Sequence, residues 1–128
     1  MVEKAFDAGI AFARSGRYFE AHEAFEEAWR AADAGERDFF QGLVHVVVAW
    51  YQAGRGNRVG CERQLEKATR RLGRYGPTHR GLDVDAVLAQ VARARPVDLP
   101  ALHLPQSDRV EHPPNADVQP PLAVEEEE

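Results

Sequence analysis

Apolar residues recur at helical spacing through the first ninety or so positions and then stop. Val2, Phe6, Ile10 and Ala13 mark one face of a first helix over 2–14, which Ser15-Gly16 ends. Over 17–32 a winding of 100° per residue gathers Tyr18, Ala21, Phe25, Ala28, Trp29 and Ala32 into an arc of about 100°, a second amphipathic helix broken at Gly35. Residues 36–54 are the most apolar segment. Val46-Val47-Val48 would suit a strand, but apolar character spreads over all faces for about 13 residues, which is long for a strand and predicts a central, buried helix. Gly54, Gly56 and Asn57 form a turn with Asn57 as N-cap. A fourth helix over 57–73 stacks Cys61, Leu65, Ala68 and Leu72 on one narrow stripe. Gly76-Pro77 breaks the chain, and Asp83 caps a fifth helix carrying Val84, Val87, Leu88 and Val91 that ends before Pro96.

A weak repeat at an offset of forty residues overlies this pattern, although any two amphipathic helices that follow a glycine turn look alike without duplication. Gly16 matches Gly56, Ala21 matches Cys61, Phe25 matches Leu65, and Glu26-Glu27-Ala28 matches Glu66-Lys67-Ala68. Each copy is a helical hairpin similar to those of tetratricopeptide proteins, although two copies fall short of the three a solenoid needs. The predicted fold is all-α: a compact bundle of about five helices, two hairpins plus a closing helix.

Charge divides the chain. The 128 residues carry a net charge of −5. Residues 96–128 contain one base, Arg109, and eight acids (Asp98, Asp108, Glu111, Asp117 and Glu125 to Glu128), together with seven of the eight prolines. Such a segment buries too little apolar surface to offset its ordering entropy. Composition therefore predicts a helical domain over 1–95 and a disordered acidic, Pro-rich tail over 96–128. A lone cysteine, Cys61, excludes an internal disulfide and any paired-cysteine metal knuckle, and its place on the apolar stripe argues against a nucleophile. The longest apolar run, Gly42 to Tyr51, is about half of the ~20 residues a membrane span needs. No basic segment followed by an apolar one opens the chain, so a cytoplasmic location is expected.

Polar residues in apolar surroundings point to a site. His22 borders the apolar arc of the second helix beside Trp29, with Glu26 one turn on. Glu20, Glu23 and Glu27 point further round. Gln41, His45 and Gln52 share one stripe of the third helix, flanked by the small residues Gly42 and Ala49. A buried helix with a polar stripe needs a polar partner, since an unpaired buried group costs about 1–3 kcal/mol. The His22/Glu26 edge is the expected partner. One reading is a satisfied structural network that fixes helix register. Another makes His22, Glu26 and His45 a metal-ligand set, two imidazoles and a carboxylate. A third makes His22 a base oriented by Glu26 without metal. The HExxH pattern of zinc proteases is absent, because its second His is replaced by Glu26. His79, His103 and His112 stand isolated in loops or tail.

A basic face lies opposite the apolar stripe of the fourth helix: Arg63, Lys67, Arg70, Arg71 and Arg74. It could contact phosphates. No aromatic residues interleave it and no helix-turn-helix signature accompanies it, so a solvated face is the simpler reading and a nucleic-acid partner is not expected. Glu125–Glu128 could instead fold back on this face electrostatically.

The run Gly16-Arg17-Tyr18-Phe19-Glu20-Ala21-His22-Glu23, with Glu26 and Trp29, resembles the signature of the uncharacterised bacterial family called domain of unknown function 309. Phe40-Gln41-Gly42-Leu43-Val44-His45, then Gly56-Asn57, Gly60, Leu65, Ala68 and Leu72, then Gly81-Leu82-Asp83, follow in the family's order over about residues 5–93. The resemblance implies a small all-helical domain and no particular activity. It places His22, Glu23, Glu26, Trp29 and Gln41 in the signature. It also implies that Gln is common at the place of His45, which argues against an obligatory metal ligand there.

The first functional expectation is a binding module for a protein or peptide partner, acting through His22, Glu23, Glu26, Trp29, Gln41 and His45 or through the hairpin groove. The alternatives are a hydrolase using His22 and Glu26, with or without a metal, and a phosphate or nucleic-acid binder using residues 63–74. No cofactor is specified by any motif.

Overall fold

Two glycines with positive φ set the architecture. The computed structural model describes residues 1–95 and 99–107. Helix α1 (Val2–Arg14) runs into Gly16 at φ 78°, which returns the chain as α2 (Tyr18–Ala31). Helix α3 (Ala34–Gly54) runs into Gly56 at φ 77°, which returns it as α4 (Arg58–Leu72). Only glycine adopts this backbone without a Cβ penalty. Both turns close in the same way. The Arg17 N–H donates to the Phe12 carbonyl at 2.9 Å and the Gly16 N–H to Ala13 at 3.0 Å; Asn57 donates to Gln52 at 2.9 Å and Gly56 to Ala53 at 3.0 Å. These are Schellman closures, which satisfy the carbonyls left open at a helix C-terminus. The forty-residue repeat is thus a repeat of structure.

The all-α expectation holds: the described residues form five α-helices and little else. After α4 come a short 3₁₀ turn (Gly73–Tyr75), a two-stranded ribbon of β1 (Thr78–His79) and β2 (Leu82–Asp83), and α5 (Val84–Arg93). Asn57 and Asp83 cap α4 and α5 as expected, accepting from the Gly60 and Ala86 N–H groups at 2.9 Å. Gly35 does not break a helix; it lies in the first turn of α3. Helix α3 is central, packed between α2 and α4. Phe25, Phe39, Phe40, Leu43, Val46 and Val47 are fully buried. The Phe6 ring on α1 meets Phe25, Phe39 and Phe40 with centroids 5.9–6.4 Å apart, joining the two hairpins. Each such buried ring contributes roughly 1.5–3 kcal/mol.

Residues 99–107 differ from expectation. Composition reads them as the beginning of a disordered tail, yet they lie against the helices, with Leu102 and Leu104 only 4% and 2% exposed. The packed unit therefore takes in these nine residues as well as 1–95. The rest of the predicted tail, 96–98 and 108–128, lies outside the described residues, and with it His112 and the proposed return of Glu125–Glu128.

Candidate binding site

The expected seam between α2 and α3 does not assemble. On α2, the His22 Nδ1–H donates to the Phe19 carbonyl at 2.6 Å, and His22 Nε2 stands 3.8 Å from a Glu26 oxygen. The Glu26 side chain is 42% exposed, so it is no buried partner for anything. Glu23 is exposed. Trp29 is half-buried, with the Arg37 guanidinium 5.3 Å from its ring centre. Gln41 is half-buried and hydrogen-bonds to neither His22 nor Glu26.

His45 and Gln52 of the polar stripe, joined by Asp38 rather than Gln41, have a different partner, helix α4 and the residues at its ends. The Asp38 carboxylate takes Arg71 at 2.8 Å and Arg74 at 3.3 Å. His45 Nδ1 is 2.7 Å from Gln64 Oε1. Gln52 Oε1 accepts from Asn57 Nδ2 at 3.1 Å. Each step of seven along α3 meets a step of seven back along α4, the register of an antiparallel pair. Gly42 permits this approach: a Cβ there would stand 2.6 Å from Leu72 Cγ. With Gln64 Oε1 as acceptor, His45 carries its proton on Nδ1 and leaves Nε2 as a buried acceptor with no hydrogen-bond partner. Burial lowers the pKa of His45, and the cations Lys67, Arg71 and Arg70 lower it further against the bond to Gln64. A neutral His45 inside a helix interface is a structural element of this ladder. The trio His22, Glu26 and His45 is not a metal-ligand set, and among the described residues no three His, Cys, Asp or Glu side chains form one.

The basic face of α4 is also divided. Arg71 and Arg74 are engaged by Asp38, whereas Arg63, Lys67 and Arg70 are exposed and make no ion pair among the described residues. Cys61 is buried, and burial pushes its thiol up, as expected of an inert cysteine.

Two arrangements were not read from the sequence. The first is a clamp on the N-terminal turn of α3. Glu36 accepts from Arg80 Nε at 2.7 Å and pairs with His79 Nε2 at 3.0 Å, so His79 is not isolated. Burial alone would raise the Glu36 pKa; the bonds from Arg80 and His79 outweigh it and hold the carboxyl below its ordinary value. The turn between β1 and β2 places Arg80 at φ 52° and Gly81 at φ 77°, the two positive angles of a tight hairpin. That turn aims Arg80 at Glu36 and over the Phe40 ring.

The second arrangement is a strap. Residues 99–107, Leu-Pro-Ala-Leu-His-Leu-Pro-Gln-Ser, cross four helices, and side chains of the helices hold their main chain. Trp50 Nε1 on α3 donates to the Pro100 carbonyl at 2.8 Å, and the Leu102 N–H reaches the Tyr18 hydroxyl on α2 at 3.2 Å. The Gln90 carboxamide on α5 takes both main-chain groups of His103, its carbonyl at 2.7 Å and its N–H at 2.8 Å. Arg14 at the end of α1 donates to the Leu104 carbonyl at 2.8 Å. Further on, the Asp83 N–H donates to Pro105 and the Ser107 N–H to Gly81, both at 2.9 Å. Leu102 and Leu104 point inward, while Ala101 and His103 are exposed, the two-residue alternation of an extended chain.

Family comparison follows the hairpins. Residues 6–64 match the family described as Domain of unknown function (DUF309). This is the family that the sequence motifs resemble. The DUF309 match spans α1, α2 and α3 and ends at Gln64, inside α4. It takes in Arg14, Tyr18 and Trp50 of the strap's seat but not Gln90, and it stops short of Gly81-Leu82-Asp83. No curated protein and no solved structure matches the chain. No helix among the described residues is long and apolar enough to cross a membrane.

Proposed function

We propose that this protein is a binding module for extended polypeptide segments, using the surface of Arg14, Tyr18, Trp50 and Gln90 that faces residues 99–107. The observation that supports it is the pair of bonds between the Gln90 carboxamide and both main-chain groups of His103. Such bonds recognise an extended backbone rather than one side chain, and pockets for alternate residues then supply selectivity. The hydrolase reading through His22 and Glu26 has less support, because His22 Nδ1 is taken by the Phe19 carbonyl and the nearest Glu26 oxygen stands 3.8 Å from Nε2. A phosphate site through Arg63, Lys67, Arg70, Arg71 and Arg74 loses Arg71 and Arg74 to Asp38. The test is selection of the purified full chain against a random peptide library. Enriched sequences that bind saturably on titration are expected; no enrichment above an unrelated helical protein contradicts the reading.

A further inference from the structure

We infer that residues 99–107 are a tethered, exchangeable ligand, and that the partner competing for their seat is an extended segment with two leucines spaced two apart. The inference rests on the binding-module reading and specifies its ligand class and its regulation.

The hydrogen bonds from side chains of the helices all go to main-chain atoms of the strap. Pro100, Leu102, His103 and Leu104 are held by side chains, and Pro105 and Ser107 by the backbone of the β ribbon. Gln106 adds a bridge to Leu82. Any extended peptide offers these same groups. Selectivity falls on Leu102 and Leu104, which join the core cluster, whereas the exposed side chains of Ala101 and His103 leave their positions permissive. The leucine-x-leucine pattern is therefore the part of the ligand that the seat reads.

The strap enters this seat from the same chain, a few residues beyond the end of α5 at Arg93. A short tether gives a cis ligand an effective concentration in the millimolar range. A trans ligand then meets a site occupied most of the time, and its apparent affinity is its intrinsic affinity multiplied by the fraction of time the seat is vacant. Release of the strap, by a partner that takes hold of the chain beyond it, would raise affinity for the trans segment without altering the helices.

The experiment keeps every residue. A protease site is inserted between Arg95 and Pro96 of the full chain, and the folded protein is cut there. A fluorescein-labelled peptide of sequence 99–107 is then titrated by polarisation into cut and uncut protein, with circular dichroism followed in parallel. The cut chain is expected to take up the peptide at least about tenfold more tightly than the uncut chain. Gln90→Ala in the cut chain should weaken uptake by about tenfold, as expected for two lost hydrogen bonds. A peptide with serine in place of Leu102 and Leu104 should not bind. The inference is overturned if the cut chain stays helical and takes up no peptide, or takes up the serine peptide equally well. Loss of helicity when the strap leaves would make 99–107 a fixed part of the core and would also overturn it. Library-selected peptides that bind cut and uncut chains alike, indifferent to Gln90→Ala, would leave the binding module standing and overturn this assignment alone.

Discussion

The two hairpins share a turn and differ in the seam that the turn creates. Gly16 and Gly56 have the same φ to within a degree, and their closing hydrogen bonds agree in partners and length. Forty residues before His45 and Gln64 stand Ala5 and Ala24, both buried. Forty before the Gln52–Asn57 bond stand Phe12 and Arg17, with the guanidinium 4.9 Å from the ring centre. The first hairpin closes on small apolar residues and the second on a polar ladder. Backbone geometry is thus fixed by one residue per turn, while the chemistry between the helices is free to vary. The ladder adds register, since a slip along α4 would strand Asp38, His45 and Gln52 together.

The largest effect should come from the close approaches. A Cβ at Gly9 would run into the Phe25 ring, and one at Gly42 into the Leu72 side chain. Gly9→Ala and Gly42→Ala should each lower stability by about 1–3 kcal/mol in urea unfolding, because overpacking outweighs the gain in helix propensity. A neutral result at either site would mean that its hairpin can open to accommodate a methyl group. The turns should follow. Nothing lies within 4 Å of a Cβ placed at Gly16 or Gly56, so Gly16→Ala and Gly56→Ala test backbone conformation alone. Both should cost about 1–2 kcal/mol, and by similar amounts. Unequal losses would break the equivalence of the turns.

The ladder predicts a pH effect through His45. The pKa of His45 is lowered in the folded state, so the unfolded chain binds more protons. Its share of stability is present above the ordinary histidine value near 6.5 and is lost as pH falls through that value toward the lower folded one. Glu36 acts in a second, more acid window. Its folded pKa lies below the ordinary 4.5, so its contribution is lost as pH falls below that value. Replacing His45 and Gln64 together by alanine, the pair found in the first hairpin, should remove the upper window and leave the lower one. Either single replacement should destabilise more than the double, by about 1 kcal/mol, because it strands its partner. The smallest effect belongs to Glu26: with its side chain 42% exposed, Glu26→Ala should shift stability by no more than about 0.5 kcal/mol.

The helices and both main caps were legible because periodicity and capping chemistry are local. The polar stripe of α3 was legible too, but its partner was not. Asn57, Gln64 and Arg71 repeat at the same seven-residue step along α4 and its cap, but they lie between a stronger apolar stripe and a basic face. The β ribbon has two residues per strand, too few for any alternation to register. Glu36 and His79 lie forty-three residues apart, and tertiary packing, with the His79 ring against Phe39 and Tyr75, brings them together. The strap was missed because an average over 33 acidic, Pro-rich residues concealed Leu99, Leu102 and Leu104. Composition decides whether a long segment can fold alone; it says little about nine residues that fold against a surface already formed.

The most direct test of the account is amide hydrogen exchange along the strap, read by NMR on the uncut wild-type chain. The Leu102, His103 and Ser107 N–H groups are bonded to Tyr18, Gln90 and Gly81, so all three should exchange at least about tenfold more slowly than in a free peptide. Gln90→Ala should release His103 first. Free-peptide rates at all three amides, with the amides of α3 still protected, would mean that the strap has no seat and would contradict the account.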